Sequence, residues 1–204
     1  MGLQVDQGHD KQALDKVAPH APTQVAIARD IGESAMLFCG LLYCDVGVCD
    51  VAIEALTGAF GRVTLQSEAF QWDYYRHYVS ELGHPICRRF IVVEGLFDTG
   101  AIADVKRRTN ELEYDLSTSG RRRVNIDPGY ITLAKVVLAS TKNYAHRVYL
   151  RDGIYAEVTL LYNTKGIYIP HLFTYPDYKE PATLKFLLQA RKTLKKLETL
   201  KQSR

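Results

Sequence analysis

Residues 35–45 read AMLFCGLLYCD, a nearly unbroken apolar run. Nothing else in the 204-residue chain constrains its fold as strongly. A run this short and this apolar reads as a central β-strand, and the domain proper begins with it. Asp50 is expected to cap a helix through Val51, Ala55, Leu56 and Ala59, with Gly61 as its stop. The stretches RVTLQSEAFQWD and RRFIVVEGLFD read as strands. Ile102, Val105, Leu112 and Leu116 then fall on one helical stripe. NIDPGY reads as a compact turn, with Pro128 fixing the backbone and Gly129 supplying a positive φ. The strand TLAKVVLAS follows.

This order predicts an α+β fold. Its sheet is antiparallel-rich with all the helices on one face, and its first half is a ferredoxin-like βαββαβ unit. An antiparallel β-meander extends it. HRVYL and IYAEVTLLY flank Arg151-Asp152-Gly153, a hairpin signal, and NTKG turns into IYIPHLF. After Pro181 an amphipathic helix covers 181–203, with Leu184, Leu187, Leu188, Leu194, Leu197 and Leu200 on its apolar face. The expected organisation is a flexible N-terminal arm over 1–33 and one domain over 34–204.

Composition narrows the function classes. Twenty-six basic residues against 23 acidic give a net charge of +3, which does not demand nucleic acid. Thirteen tyrosines against seven phenylalanines favour half-buried polar surfaces and pockets. No apolar run is long enough to span a membrane, and the first residues lack the pattern of a secretory signal. The expectation is a cytoplasmic protein with no membrane partner. Cys39, Cys44 and Cys49 recur every five residues, too far apart for a familiar zinc pattern, so buried free thiols are expected. Phosphate-loop, dinucleotide-binding, nucleophile-elbow and zincin motifs are absent.

The chemistry concentrates in residues 121–162, where strand-like alternation carries many polar groups. Arg123, Lys135, Ser140, Thr141, Lys142 and Arg147 are candidate anion ligands, because small hydroxyls, an ammonium and a guanidinium fork suit phosphate or carboxylate. Glu157, Asp127 and His146 are candidate catalytic groups: a base, a metal-binding or substrate-orienting carboxylate, and a side chain tuned near neutral pH. A structural ion pair is the simpler reading of Glu157, since a carboxylate in mid-strand needs a partner. Tyr175 and Asp177, in the loop FTYPDYKEP, are placed to close over a ligand. No metal-ligand set and no cofactor is assigned.

The leading reading is a polar sheet pocket that binds a small phosphorylated or carboxylated ligand, a nucleotide among the options. The alternative is a non-enzymatic RNA-binding or assembly module, resting on RRR at 121–123 and RKTLKK at 191–196. A homo-oligomer pairing its polar strands is a third.

The strings RRVNIDPGYI, AKVVLASTKNYAHRVYL and GIYAEVTLLY, with FTYPDY after them and LFCGLLYCD, SEAFQWDYY and RRFIVVEGLFD before them, resemble the DUF4416 family of prokaryotic proteins. The resemblance covers about residues 35–180. It implies a single-domain cytoplasmic protein and carries over no catalytic residue.

Overall fold

The computed structural model describes residues 33–202. The expected arm over 1–33 lies almost wholly outside them.

Strand β1 (Ala35–Tyr43) is buried along its whole length. Met36 and Phe38 point to one face, while Leu37, Cys39, Leu41 and Tyr43 point to the other. A strand apolar on both faces needs a cover on each. Helices α1 (Val46–Phe60) and α3 (Ile102–Asp115) cover the odd-numbered face. Helix α5 (Pro181–Gln202) covers the other with Phe186, Leu187, Ala190 and Leu194. The expectation that all helices share one face is therefore corrected. The reason lies in β1 itself, whose even positions are as apolar as its odd ones.

Helix α1 starts earlier than predicted. Its cap is Asp45, whose carboxylate accepts from Gly47 N at 2.8 Å. Asp50 lies inside the helix, 3.7 Å from Arg89. Gly61 ends the helix at φ 107°, as expected.

The remaining elements are β2 (Val63–Gln66), β3 (Phe70–Gln71), α2 (His77–Leu82), β4 (Cys87–Val93), β5 (Val124–Thr132), β6 (Lys135–Ser140), β7 (Val148–Arg151), β8 (Ile154–Tyr162), β9 (Tyr168–Pro170) and α4 (Pro176–Lys179). The strands form one sheet in the order β2-β4-β1-β5-β6-β8-β7, with β3 added to β4 and β9 to β8. Every pairing is antiparallel. The β7–β8 hairpin turns at Asp152 (φ 52°) and Gly153 (φ 74°), the two positive values a type I′ turn requires. Along β8 the predicted alternation breaks. A register shift opposite Val136 and Val137 leaves Thr159 as an extra residue, so Thr159 and Leu160 are both buried while Val158 is exposed.

The predicted turn at NIDPGY is instead the middle of β5, and Gly129 has no positive φ. Strand β5 pairs with β1 over all nine residues, but with β6 only through Gly129–Ile131. The sheet therefore splits beyond Gly129. Ile126 turns its main-chain groups away from β1: its N–H donates to Glu113 Oε1 at 2.7 Å, and its carbonyl accepts from Lys106 Nζ at 2.8 Å. Main-chain groups alternate sides along a strand, so Pro128 presents its nitrogen to the same open side, where it has no hydrogen to donate. Two side chains of α3 thus stand in for the missing neighbour strand.

Gly129 is the hinge of this split. A Cβ there would lie 2.3 Å from the Val137 carbonyl oxygen and 2.7 Å from the Phe38 ring. Gly129→Ala is expected to cost about 2–3 kcal/mol. Gly58→Ala, in open space on exposed α1, is expected to gain about 0.5–1 kcal/mol. Urea midpoints of the two variants check the contrast.

Candidate functional site

The split opens a cavity of about 550 Å³. Its walls come from both faces of the sheet. Lys106, Asn110 and Glu113 of α3 reach it from one side, and Arg88, Tyr178 and Asp177 from the other. Arg122, Asn125 and Asp127 form the β5 wall. Leu138 to Lys142, with Tyr144, Arg147 and Tyr175, form the opposite wall. Trp72, Tyr75, His77 and Tyr78 close an aromatic side.

Arg88 is 3% exposed. Its Nε donates to Asp177 Oδ2 at 2.7 Å and its Nη1 to Asp127 Oδ2 at 3.1 Å. To reach Asp127 it crosses β1 over Gly40, where a Cβ would sit 3.0 Å from its Nη1. The glycine is needed for this passage. The guanidinium also lies 5.1 Å from the Phe90 ring and 5.6 Å from the Tyr178 ring. Burial alone would raise the pKa of Asp127, but Arg88 and Lys106 beside it more than reverse that and hold the carboxyl below its ordinary value.

Arg122 is a second node. It grips both oxygens of Glu81 at 2.5 and 2.8 Å, and its Nη1 donates to Glu113 and to the Asn125 side-chain oxygen at 2.8 and 2.9 Å. Burial pushes Glu113 above the usual carboxylate range despite the cations around it.

Arg147 is a third. Its Nε donates to Glu157 Oε2 at 2.6 Å, its Nη1 to Ser140 Oγ and the Lys142 carbonyl, and its Nη2 to the Tyr175 hydroxyl at 2.5 Å. Glu157 also meets His146 Nε2 at 3.0 Å and accepts from Thr159 Oγ1 at 3.3 Å. The His146 ring stacks on Phe173, with centroids 4.4 Å apart.

Of the residues singled out in the sequence, Asp127, Ser140, Thr141, Lys142, Arg147, Tyr175 and Asp177 come together around the cavity. Glu157 and His146 do not line it; Glu157 holds Arg147 from behind, and His146 meets Glu157. Arg147, read as an open fork, spends most of its donors inside the protein. Arg123 points elsewhere and pairs with Asp45 at 2.9 Å. Lys135, at the other end of β6, pairs with Glu33 at 2.8 Å. Sequence reasoning chose Arg123 from the basic run, but its neighbour Arg122 is the one turned inward.

Arg88, Lys106 and Glu113 were missed, although two signals were present. Arg88 shares the alternation of Phe90 and Val92, which places a charge at an inward position. Lys106 and Glu113 are seven residues apart, two turns, on the same stripe as Ile102, Val105 and Leu112.

Lining residues carry buried polar atoms without a hydrogen-bond partner, Trp72 Nε1 and the Tyr178 hydroxyl among them. No group of three or more His, Cys, Asp or Glu among the described residues is arranged to hold a metal ion. The four cysteines are free. Burial pushes the Cys39 thiol up to about 12, so it stays protonated and unreactive at neutral pH.

These features define an α+β protein whose sheet is parted around a polar, charge-dense cavity. The chain belongs to the family described as a domain of unknown function, DUF4416, whose model matches residues 33–194. No curated protein and no solved structure matches it. Among the described residues no helix is long and apolar enough to cross a membrane.

The lowered pKa of Asp127 has a consequence for stability. Its ionised form is favoured in the folded state, so its contribution is present above the unfolded value of about 3.9 and is lost as pH falls through that range. Asp127→Asn is expected to destabilise the protein by about 1–2 kcal/mol at pH 7. It is also expected to lose less further stability than the wild type on acidification to pH 3. Urea unfolding at both pH values measures this.

Proposed function

We infer that the chain binds a small phosphorylated or carboxylated molecule in the cavity of the split sheet. The observation that carries this reading is the set of buried polar atoms without a hydrogen-bond partner on the residues that wall it, Trp72 Nε1 and the Tyr178 hydroxyl among them. A buried donor without an acceptor costs about 1–3 kcal/mol, and an oxygen-rich ligand removes that cost. The volume suits such a molecule. Five basic side chains line the cavity (Arg88, Lys106, Arg122, Lys142 and Arg147) against three carboxylates (Glu113, Asp127 and Asp177). Among the described residues the Lys142 ammonium has no ion pair, and it stands at the exposed rim beside Ser140 and Thr141. It is the cation free to meet the ligand's anionic group. Arg147 fixes the 140–142 segment through Ser140 Oγ and the Lys142 carbonyl, so Glu157 acts on the site by positioning Arg147, and His146 acts through Glu157.

The scaffold reading belongs to the same proposal. The order β2-β4-β1-β5, wholly antiparallel and with α1 and α3 on one face, supports a ferredoxin-like first half to which β6–β9 and α5 are added.

The test is a thermal-shift screen with inorganic phosphate, sugar phosphates, nucleotides and carboxylates. A ligand at a hundred times its dissociation constant adds about 2.7 kcal/mol, or roughly 5–10 °C for a chain of this size. Lys142→Ala is expected to remove that rise while leaving the ligand-free melting point within about 2 °C. A panel without any rise, or a rise indifferent to Lys142→Ala, refutes the reading.

A further inference from the structure

The charges around the cavity are already matched one against another, with two exceptions. Arg88 is neutralised by Asp177 and Asp127. Lys106 lies 3.9 Å from Glu113. Arg122 is held by Glu81 and Glu113, and Arg147 by Glu157. Once Glu81 and Glu157 behind the walls are counted with the three lining carboxylates, five acids face five bases. A polyanion entering here finds no net positive field, and it meets three carboxylates at short range in a poorly solvated space.

The exceptions are one cation and one acceptor. Lys142 lacks an ion pair among the described residues. Asp127 engages Arg88 through Oδ2, and the Asn125 amide beside the carboxylate helps to hold its pKa down. The Asp127 side chain remains 30% exposed on the cavity wall. The two groups belong to the strands that part at Gly129, Asp127 on β5 and Lys142 just beyond the end of β6.

From this arrangement we propose that the ligand is a small zwitterion, with a carboxylate taken by Lys142 and an ammonium group taken by the partly exposed Asp127 carboxylate. Such a molecule satisfies the spare cation and the partly exposed carboxylate together while leaving the charge of the cavity unchanged. The aromatic side formed by Trp72, Tyr75 and Tyr78 offers a surface for the apolar remainder. This inference rests on the anion-binding reading of the same cavity and narrows it to amino-acid-like chemistry.

Matched probes test it. Calorimetric titration of the full chain compares L-glutamate with glutarate, L-phenylalanine with 3-phenylpropanoate, and both pairs with inorganic phosphate and a nucleoside triphosphate. Trp72 is the only tryptophan and lines the cavity, so its fluorescence gives a second readout of occupancy. The expected result is that an amino acid binds and its deaminated partner binds about tenfold to a hundredfold more weakly, the range of one charge-assisted hydrogen bond. In Asp127→Asn that difference collapses, whereas Lys142→Ala weakens both members of the pair. Should Asp127→Asn fail to fold, the wild-type pairs decide alone. If the deaminated carboxylates bind as well as the amino acids, or phosphate or the triphosphate binds more tightly than any zwitterion, the zwitterion inference is wrong and the anion site remains. Silence from every carboxylate, amino acid and phosphate refutes both.

Discussion

Strand β5 can pair along its full length on only one side, and the rest of the structure follows from that. Pro128 has no N–H to give to β6, and Gly129 brings the two strands so close that a single methyl group would strike the Val137 carbonyl. Tight pairing at Gly129–Ile131 and none before it makes a wedge. A strand edge inside a protein cannot be left bare, because buried main-chain groups need partners. Lys106 and Glu113 supply them for Ile126. The same two side chains therefore hold the wedge open and form part of the wall of the cavity inside it.

Opening a sheet in its middle places polar side chains inside the fold, and the surrounding charges show how that is stabilised. Each buried guanidinium is tied to carboxylates and to further acceptors, as a desolvated cation must be. Arg88 joins β4, β5 and α4; Arg122 joins β5, α2 and α3; Arg147 joins β6, β8 and the loop before α4. The elements bordering the wedge are thus linked by directional bonds in addition to apolar contact. Such a frame fixes Asp127, Asn125 and the main chain at Lys142 relative to one another.

The apolar β1, the hairpin at Asp152-Gly153, the terminal helix after Pro181 and the polar density of residues 121–162 were all legible in the sequence. Each is a local signal: periodicity, turn chemistry or composition within a short window. Most of the β6-side site was legible for the same reason, since Ser140, Thr141, Lys142 and Arg147 are neighbours in the chain. The misreadings share a cause as well. Pro-Gly in NIDPGY is ordinary turn chemistry, and only the absence of a strand on one side lets it sit inside β5. Arg123 and Arg122 are adjacent, and which of them turns inward depends on Glu81 and Glu113, distant in sequence. Val158 and Thr159 exchange environments because of a bulge set against β6.

By itself, then, the sequence determined many of the elements, the buried central strand and the segment where polar chemistry gathers, because those follow from side chains close along the chain. Tertiary structure alone decided that the sheet parts at Gly129, that Arg88, Lys106 and Glu113 join the site, and that Arg147 is committed to Glu157 while Lys142 stays free. Those outcomes rest on ion pairs and steric contacts between residues tens of positions apart, and local pattern carries no information about which distant partner neutralises a buried charge.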